Sequence, residues 1–361
     1  MKVFQPGAPI RAWLSGAASL YGLAVRASTW AYDCGWRTPT RLPCRVVSVG
    51  NLTVGGTGKT PMVILLTEWL LEEGRKVAVL SRGYKRESSD AFVLVSDGRR
   101  VLVGPAAAGD EPYLIATRCP KAIVAVGADR AAAGRRVLSQ EQVDCIVLDD
   151  GFQHRRLARD LDVVLLDAMD ATGLDALLPA GRLREPLSGL RRAGAVVITR
   201  ADSSRDVAAV HARVDRVLTG NPVQADVVFT ADSVASVSTG ERRPLDWCVG
   251  RKAWLVSGIG NSDSFRRVAM ASGVQVLGET AFVDHHAYRR EELHRVRTQA
   301  GRAQAEIVLT TEKDAGKLAP LLNPGESWWA LRLRADVVRG MTALRRLVCG
   351  SPTQTGRDAR A

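Results

Sequence analysis

Residues 46–61 constrain the fold of this 361-residue chain more than any other stretch. They begin with an apolar, β-branched run and continue into a glycine-rich turn that ends in Gly-Lys-Thr, where an apolar helical pattern starts. A strand, a glycine-rich loop and a helix in this order are what a phosphate-binding loop requires. Its backbone N–H groups approach an anion closely, its lysine adds a positive charge, and its hydroxyl reaches a metal ion. The sequence therefore predicts a nucleotide phosphate site at Thr53, Val54, Gly55, Gly56, Thr57, Gly58, Lys59 and Thr60.

The first position of this loop departs from the usual G-x-x-x-x-G-K-[ST] pattern, because Thr53 stands where the pattern has glycine. An ordinary glycine-rich turn between a strand and a helix is the alternative interpretation. The Gly-Lys-Thr ending lies at the strand-to-helix transition, as the mechanism demands, and this favours the phosphate loop.

The net charge of +12 and the isoelectric point near 9.9 favour anionic partners: nucleic acid, acidic lipid headgroups or a phosphorylated substrate. Six scattered cysteines without a C-x-x-C pair argue against a zinc cluster and a secreted disulfide framework, and suit a reducing cytosol. The sequence has no apolar run of about 18 residues that would span a bilayer, and its start does not resemble a cleaved signal peptide.

Near-continuous apolar runs at residues 144–148, 162–167 and 195–199 are typical of strands that helices cover on both faces. They predict a P-loop NTPase-like α/β fold with a mostly parallel sheet flanked by helices. The pattern loosens between residues 220 and 252, and a second, smaller α/β unit follows. We therefore expect an N-terminal helix in residues 1–36, a P-loop core at 37–225, a smaller domain at 226–350 and a disordered tail at 351–361.

The helical pattern of residues 8–33 has two interpretations. One is a surface helix packed on the core. The other is an amphipathic helix that lies on a membrane, which tryptophans and flanking arginines favour. The pattern by itself supports both equally.

Carboxylates follow the apolar strand that ends at Leu148. Asp149 and Asp150 stand where phosphate-loop enzymes hold Mg²⁺ beside the loop, although an aspartate in a turn or helix cap is the alternative. Gln153 and His154 come next and could orient donors near the γ-phosphate; alternatively, they belong to a polar loop held by its own hydrogen bonds.

Asp110 begins a helical segment, where it is either a capping residue or a general base for a substrate hydroxyl. His285, in the smaller domain, is suited to hydrogen-bond a carboxylate and so to tune a base. Arg82, Arg130 and Arg184 lie in loops at strand ends or helix starts. There they could grip phosphates with two hydrogen bonds each, or remain solvated at the surface.

Taken together, these motifs resemble the tetraacyldisaccharide 4′-kinases of lipid A biosynthesis. The matching segments, in chain order, are Val49-Gly-Asn-Leu-Thr-Val-Gly-Gly-Thr-Gly-Lys-Thr-Pro61, Ser81-Arg-Gly-Tyr84, Gly109-Asp-Glu-Pro112, Gly127-Ala-Asp-Arg130, Leu148-Asp-Asp-Gly-Phe-Gln-His154, Leu183-Arg-Glu-Pro186, Asp284-His285 and Thr311-Glu-Lys-Asp314. The resemblance implies transfer of the ATP γ-phosphoryl group to the 4′-hydroxyl of a tetraacylated glucosamine disaccharide 1-phosphate, which yields lipid IVA. It also implies a peripheral enzyme on the cytoplasmic face of an inner membrane, docked through the N-terminal helix.

The resemblance further implies roles for particular residues. Lys59 and Thr60 would bind phosphates and Mg²⁺, and one of the two carboxylates at Asp149 and Asp150 would complete the metal site. Asp110 would be the catalytic base, paired with His285. The three arginines named above would serve the nucleotide phosphates or the substrate.

Two other classes of function compete with this one. A P-loop GTPase or metallochaperone-type switch would carry Asn-Lys-x-Asp for guanine, where this chain has Thr199-Arg-Ala-Asp202. A nucleic-acid-binding protein would use the +12 charge, but no recognition motif accompanies that charge. We therefore expect ATP, an acylated sugar phosphate and a membrane surface as partners, and no nucleic acid.

Overall fold

The computed structural model describes residues 8–202 and 207–350, apart from the side chains of residues 8–12. The predicted tail at 351–361 lies outside the described residues. The helices are α1 (Ala8–Asp33), α2 (Lys59–Glu72), α3 (Pro105–Ala108), α4 (Asp110–Arg118), α5 (Arg130–Gln140), α6 (Val207–Val217), α7 (Ser262–Ala271), α8 (Arg290–Arg302), α9 (Glu312–Leu318) and α10 (Met341–Cys349). The strands are β1 (Arg45–Asn51), β2 (Val77–Ser81), β3 (Val93–Asp97), β4 (Ile123–Val126), β5 (Cys145–Asp149), β6 (Leu161–Asp167), β7 (Ala195–Thr199), β8 (Val223–Ser236), β9 (Arg242–Pro244), β10 (Lys252–Ser257), β11 (Gln275–Ala281), β12 (Ile307–Thr311) and β13 (Trp328–Arg339).

The chain forms two compact units. Unit 1 comprises Met1–Lys76, Gly134–Val228 and Val337–Ala361, and unit 2 comprises Val77–Ala133 and Phe229–Asp336. The domain boundaries predicted from the sequence differ from these units in two respects: residues 77–133 group with 229–336, and residues 337–350 group with unit 1 rather than with the smaller domain. A physical reason is visible inside unit 2, where α4 packs on α9 and Arg118 forms a buried ion pair with Glu312 at 2.8 Å.

Unit 1 contains a parallel sheet in the order β8, β7, β6, β1, β5. Strand β1 lies at its centre, where Val47 pairs with Val147 on one side and with Leu161 on the other. The apolar runs predicted to be buried strands are β5, β6 and β7, and the predicted mostly parallel α/β fold is confirmed. Because the strands are parallel, their carboxyl ends share one edge of the sheet, which is where such folds bind ligands.

Unit 2 contains two groups of strands. Strands β11, β10, β12 and β13 are parallel neighbours in that order. Strand β2 pairs in parallel with β4, which pairs antiparallel with β3. The turn after β11 contains His285, and helix α9 after β12 contains Lys313 and Lys317.

Helix α1 packs on unit 1 through small side chains. Ala18 and Gly22 are buried, and a Cβ at Gly22 would lie 2.8 Å from the Leu177 side chain. The Tyr21 hydroxyl donates a hydrogen bond to the Arg184 carbonyl at 2.7 Å. The opposite face exposes large apolar side chains, which are Trp13, Leu20, Leu23 and Trp30. None of the described helices is both long enough and apolar enough to cross a membrane.

Candidate active site

The predicted phosphate loop occupies the connection between β1 and α2. Gly55 and Gly58 have positive φ angles of 123° and 82°, which glycine adopts without a steric cost. Thr53, at the irregular first position, is buried and forms an antiparallel β-bridge with Leu183. A β-branched residue suits such an extended, packed backbone, so Thr53 replaces the usual glycine without strain.

Lys59, the first residue of α2, points at two oxygen atoms. Its Nζ atom donates to Asn51 Oδ1 at 3.2 Å and lies 3.8 Å from Asp150 Oδ1. Arg184 binds the same Asp150 carboxylate with two hydrogen bonds of 3.0 and 2.8 Å, and it also contacts the Asn51 side-chain oxygen. Asp150 is thus compensated by two cations at the carboxyl end of β5.

Magnesium would find hard oxygen donors here. Asp149 is buried as the last residue of β5, Asp150 follows it, and Thr60 lies in the first turn of α2. Among the described residues, no group of three or more histidine, cysteine or acidic side chains could hold a metal ion alone. Magnesium usually binds through one or two carboxylates, waters and substrate phosphates, so this donor set fits an ion that arrives with a nucleotide.

Gln153 contacts Asn51, the residue that also binds Lys59 and Arg184. Its Nε2 atom donates to the Asn51 carbonyl at 2.9 Å and to Glu185 Oε1 at 2.8 Å, and Glu185 in turn pairs with Arg192 at 2.7 Å. These contacts fit a polar loop held by its own hydrogen bonds. His154 lies in the same turn, where its backbone N–H donates to the Gly151 carbonyl.

In unit 2, Asp110 and His285 meet although 175 residues separate them. Asp110 begins α4, and its Oδ2 atom lies 3.0 Å from His285 Nδ1 and 3.1 Å from Lys317 Nζ. The side chains of Asp110 and His285 are 11% and 9% exposed. Burial raises the pKa of Asp110, but the hydrogen bond with His285 and the charge of Lys317 outweigh it, so this pKa lies below its ordinary value.

Lys313 contacts the other ring nitrogen of His285. Its Nζ atom lies 3.1 Å from His285 Nε2 and also pairs with Glu111 and Asp284, at 3.0 and 3.1 Å. Burial lowers the pKa of Lys313, but these two carboxylates raise it above its ordinary value. An ammonium group can only donate. When Nε2 accepts from Lys313, Nδ1 is the ring nitrogen that carries the hydrogen and donates to Asp110.

The three predicted arginines have different surroundings. Arg184 binds the Asp150 carboxylate as described. Arg82 is exposed after β2, whereas Arg130 is buried at the start of α5 and donates to the Ala128 carbonyl at 2.9 Å. The phosphate contact of Arg130 stays a prediction.

Two residues of the site were missed by the sequence reasoning. Asn51 contacts Lys59, Arg184 and Gln153, and its place within the loop motif was the available signal. Lys317 lies on the same helix as Asp314, three residues later, so helical spacing could have joined them.

Comparison with known proteins identifies the family. A family model described as Tetraacyldisaccharide-1-P 4′-kinase matches residues 10–350 of this chain. The chain belongs to this family. The family predicted from the sequence is therefore confirmed, and the alternative of a GTPase or metallochaperone-type switch is not supported.

Individual 4′-kinases match over most of their length. The tetraacyldisaccharide 4′-kinase of Geobacter metallireducens is 41% identical over 305 residues, which cover 84% of this chain and 87% of the relative. The enzyme of the same name from Anaeromyxobacter sp. is 43% identical over 328 residues, or 90% and 87% of the two chains. The crystal structure of Aquifex aeolicus LpxK in complex with ATP superposes with a TM-score of 0.77 and 34% identity, covering 94% of this chain and 98% of that one.

Proposed function

We propose that this chain transfers the γ-phosphoryl group of ATP to the 4′-hydroxyl of a tetraacyldisaccharide 1-phosphate and so forms lipid IVA. Membership in the 4′-kinase family supports the substrate and the reaction. The structural observation that carries the proposal is the buried pair of Asp110 and His285 in a chain that also has a phosphate loop. A nucleotide switch has no use for such a pair, whereas transfer to an alcohol needs a group that accepts the hydroxyl proton.

ATP is the donor, and unit 1 has the groups to bind it. The loop N–H groups and Lys59 would surround the phosphates, as in other phosphate-loop enzymes. Thr60, Asp149 and Asp150 would hold Mg²⁺, which neutralises charge on the phosphates when bound. Since Asp150 is already paired with Arg184 and Lys59, nucleotide and ion would compete for these contacts.

Asp110 is the base in this proposal. Among the described residues, His285 and Lys317 both contact the Asp110 carboxylate at Oδ2. Its other oxygen, Oδ1, is therefore the atom that can accept the proton of the sugar hydroxyl. His285 and Lys317 orient the carboxylate and keep it ionised.

Helix α1 would dock the enzyme on the cytoplasmic face of the inner membrane as a peripheral protein. Its outward stripe of large apolar side chains is exposed to between 55% and 71%, and the chain carries a net charge of +12. An apolar stripe on a basic protein is what binding at an anionic lipid surface requires. Docking there would bring the enzyme to the surface that holds its proposed lipid acceptor.

The reaction can be tested with the purified protein, Mg²⁺-ATP and the acylated disaccharide 1-phosphate in mixed micelles. Transfer of labelled phosphate to the lipid is expected, and Asp110→Asn should lower kcat by about 10²- to 10⁴-fold while ATP affinity stays unchanged. Asp97→Asn is a matched control, because Asp97 is an aspartate of the same unit that caps the exposed turn after β3. Absence of transfer by the wild-type protein would contradict the proposed reaction, and an unchanged kcat in Asp110→Asn would remove only the assigned base.

Membrane docking can be tested by co-sedimentation with anionic vesicles. The double variant Leu20→Ser/Leu23→Ser removes side chains that are 70% and 61% exposed on α1. Val249→Ser/Val338→Ser removes apolar side chains that are 67% and 60% exposed elsewhere. Loss of binding only in the first variant is expected, and equal binding of both would exclude α1 as the docking element.

A further inference from the structure

The segment that replaces a guanine-recognition motif in this chain contacts the phosphate loop. Thr199, the last residue of β7, is fully buried. Its hydroxyl lies 3.0 Å from the Thr57 carbonyl oxygen and 3.3 Å from the Leu166 carbonyl oxygen of β6, so the loop carbonyl is the nearer of two acceptors. Arg200 follows it, with a positive φ of 56°, and its Nη2 atom donates to the Gly56 carbonyl at 2.8 Å. Two consecutive loop carbonyls are therefore held by two consecutive residues of another strand end.

Arg200 is itself held in place. Its Nη1 atom pairs with the carboxylate of Asp167, the last residue of β6. The other oxygen of that carboxylate accepts the Met169 N–H at 3.0 Å. The arginine side chain is 13% exposed. Its buried ion pair with Asp167 therefore holds the guanidinium group in the position from which it contacts the loop.

A third carbonyl of the loop is held in the same way. Arg182 donates to the Val54 carbonyl through Nη2 at 2.7 Å and Nε at 3.2 Å, and its Nη1 atom pairs with Asp170 at 3.1 Å. Its guanidinium fills the space beside Gly55, where a Cβ would lie 2.2 Å from Nη2. A side chain at that position would displace the arginine.

These bonds decide which way the loop peptides face. In a planar trans peptide the carbonyl and the following N–H point in opposite directions. When the Val54 and Thr57 carbonyls are turned to donors outside the loop, the N–H groups of Gly55 and Gly58 are turned away from those donors. The bond from Arg200 fixes the Gly56 carbonyl, and the N–H that follows it, that of Thr57, donates within the loop to the Gly55 carbonyl at 3.2 Å. Loop peptides held in this way keep their orientation before an anion arrives, as a pre-organised phosphate site requires.

We propose that Thr199 and Arg200 are positioning residues for ATP: they orient the phosphate loop through the carbonyls of Thr57 and Gly56. The inference rests on the proposed ATP binding and adds a function for the Thr-Arg-Ala-Asp segment. Thr199 is the sharper test, because its hydroxyl is uncharged and fully buried and has the Thr57 carbonyl of the loop as its nearer acceptor.

The experiment measures the dissociation constant of a non-hydrolysable Mg²⁺-ATP analogue for the full chain without the lipid acceptor. Thr199→Val should raise this constant about tenfold, since a buried carbonyl loses its donor, and Thr199→Ser should restore it. Thr67→Val is the matched control, because Thr67 is equally buried in α2 of the same unit and its hydroxyl has no hydrogen-bond partner among the described residues. All constants are measured well below each variant's melting temperature.

Substitutions of Arg200 provide a second, independent test. Arg200→Lys should weaken binding as much as Arg200→Ala, since one ammonium group cannot replace a fork that bridges Asp167 and Gly56. Arg191→Ala, which removes another arginine-to-carbonyl hydrogen bond of unit 1, should have no effect. The KM for ATP should rise in the Thr199 and Arg200 variants while that for the lipid does not.

Each result has a defined meaning. If Thr199→Val binds the analogue as tightly as Thr67→Val, the hydroxyl does not order the loop and the proposal is wrong. If Arg200→Lys retains wild-type affinity while Arg200→Ala does not, the charge of Arg200 acts on the phosphate directly. If the wild-type protein binds no nucleotide, it is the proposed kinase function that fails.

Discussion

Lys317 compensates two carboxylates at once, and replacing it with methionine removes a buried charge with little change in shape. Its Nζ atom lies 3.1 Å from Asp110 Oδ2 and 3.2 Å from Asp314 Oδ1. The Lys317 side chain is 14% exposed, that of Asp110 is 11% exposed, and Asp314 is completely buried. Lys317→Met therefore leaves two poorly solvated carboxylates without their shared cation.

The size of the effect follows from this geometry. Two unit charges 3.1 Å apart attract each other by about 5 kcal/mol at an effective dielectric constant of 20. Desolvation offsets much of that in the intact pair, but removing one partner of a buried pair costs about 3–5 kcal/mol. An exposed pair at the same distance contributes about 0–1 kcal/mol.

Unit 2 has such an exposed pair. Arg266 and Glu279 lie 3.2 Å apart, with side chains 43% and 37% exposed. Denaturant unfolding should therefore show a free energy of unfolding at least about 2 kcal/mol lower for Lys317→Met than for Arg266→Met. Lys317→Arg should recover most of the difference, because it restores the charge.

The pH dependence supplies a second readout. Because the pKa of Asp110 is lowered in the folded protein, its ionised form contributes stability above the ordinary carboxyl pKa, and this is lost as the pH falls through the lower, folded value. Without Lys317 that pKa rises. The acid limb of kcat/KM should therefore begin at higher pH. The loss of stability that Asp110 contributes on acidification should shrink, because its folded and unfolded pKa values come closer together. Equal unfolding free energies for the two methionine variants, with no movement of either pH profile, would refute this reasoning.

Two further predictions concern packing and thiol chemistry. Gly50→Ala should destabilise the protein by about 1–3 kcal/mol, because its Cβ would lie 2.5 Å from that of the fully buried Phe152. Gly16→Ala on α1 meets no atom within 4 Å and should stabilise the protein by up to about 1 kcal/mol. Denaturant titration of both variants checks this, and equal effects on the free energy of unfolding would contradict it. Burial raises the pKa of Cys145 to about 12, so a maleimide should label exposed Cys34 in the native protein and Cys145 only in denaturant, which mass spectrometry after digestion would show.

The parts of the fold that depend on local pattern could be predicted from the sequence. Buried parallel strands are recognisable as apolar runs, and the phosphate loop is recognisable because its glycines, Lys59 and Thr60 are consecutive. The pairing of Asp110 with His285 was expected only through the family resemblance, since no local rule joins residues 175 positions apart.

Other features depend on tertiary contacts that periodicity does not encode. The grouping of residues 77–133 with 229–336 depends on long-range packing such as that of α4 on α9. Arg130 looks like any other loop arginine in the sequence, and only the fold reveals that it is buried. In the sequence, Arg200 only shows that the guanine-recognition motif Asn-Lys-x-Asp is absent. Its contact with the Gly56 carbonyl depends on the fold, which places the end of β7 beside the loop.

The contacts of α1 with the rest of unit 1 affect how truncated variants of the enzyme can be interpreted. Tyr21 on its inner face bonds the backbone of Arg184, whose side chain grips Asp150, and Arg155 anchors the end of the helix through the Thr29 carbonyl and Asp33. Deleting the helix to obtain a better-behaved protein would therefore remove the Tyr21 hydrogen bond to the Arg184 backbone together with the apolar stripe. A truncated enzyme that loses activity would say nothing about lipid contact, whereas substitutions confined to the outer stripe separate anchoring from catalysis.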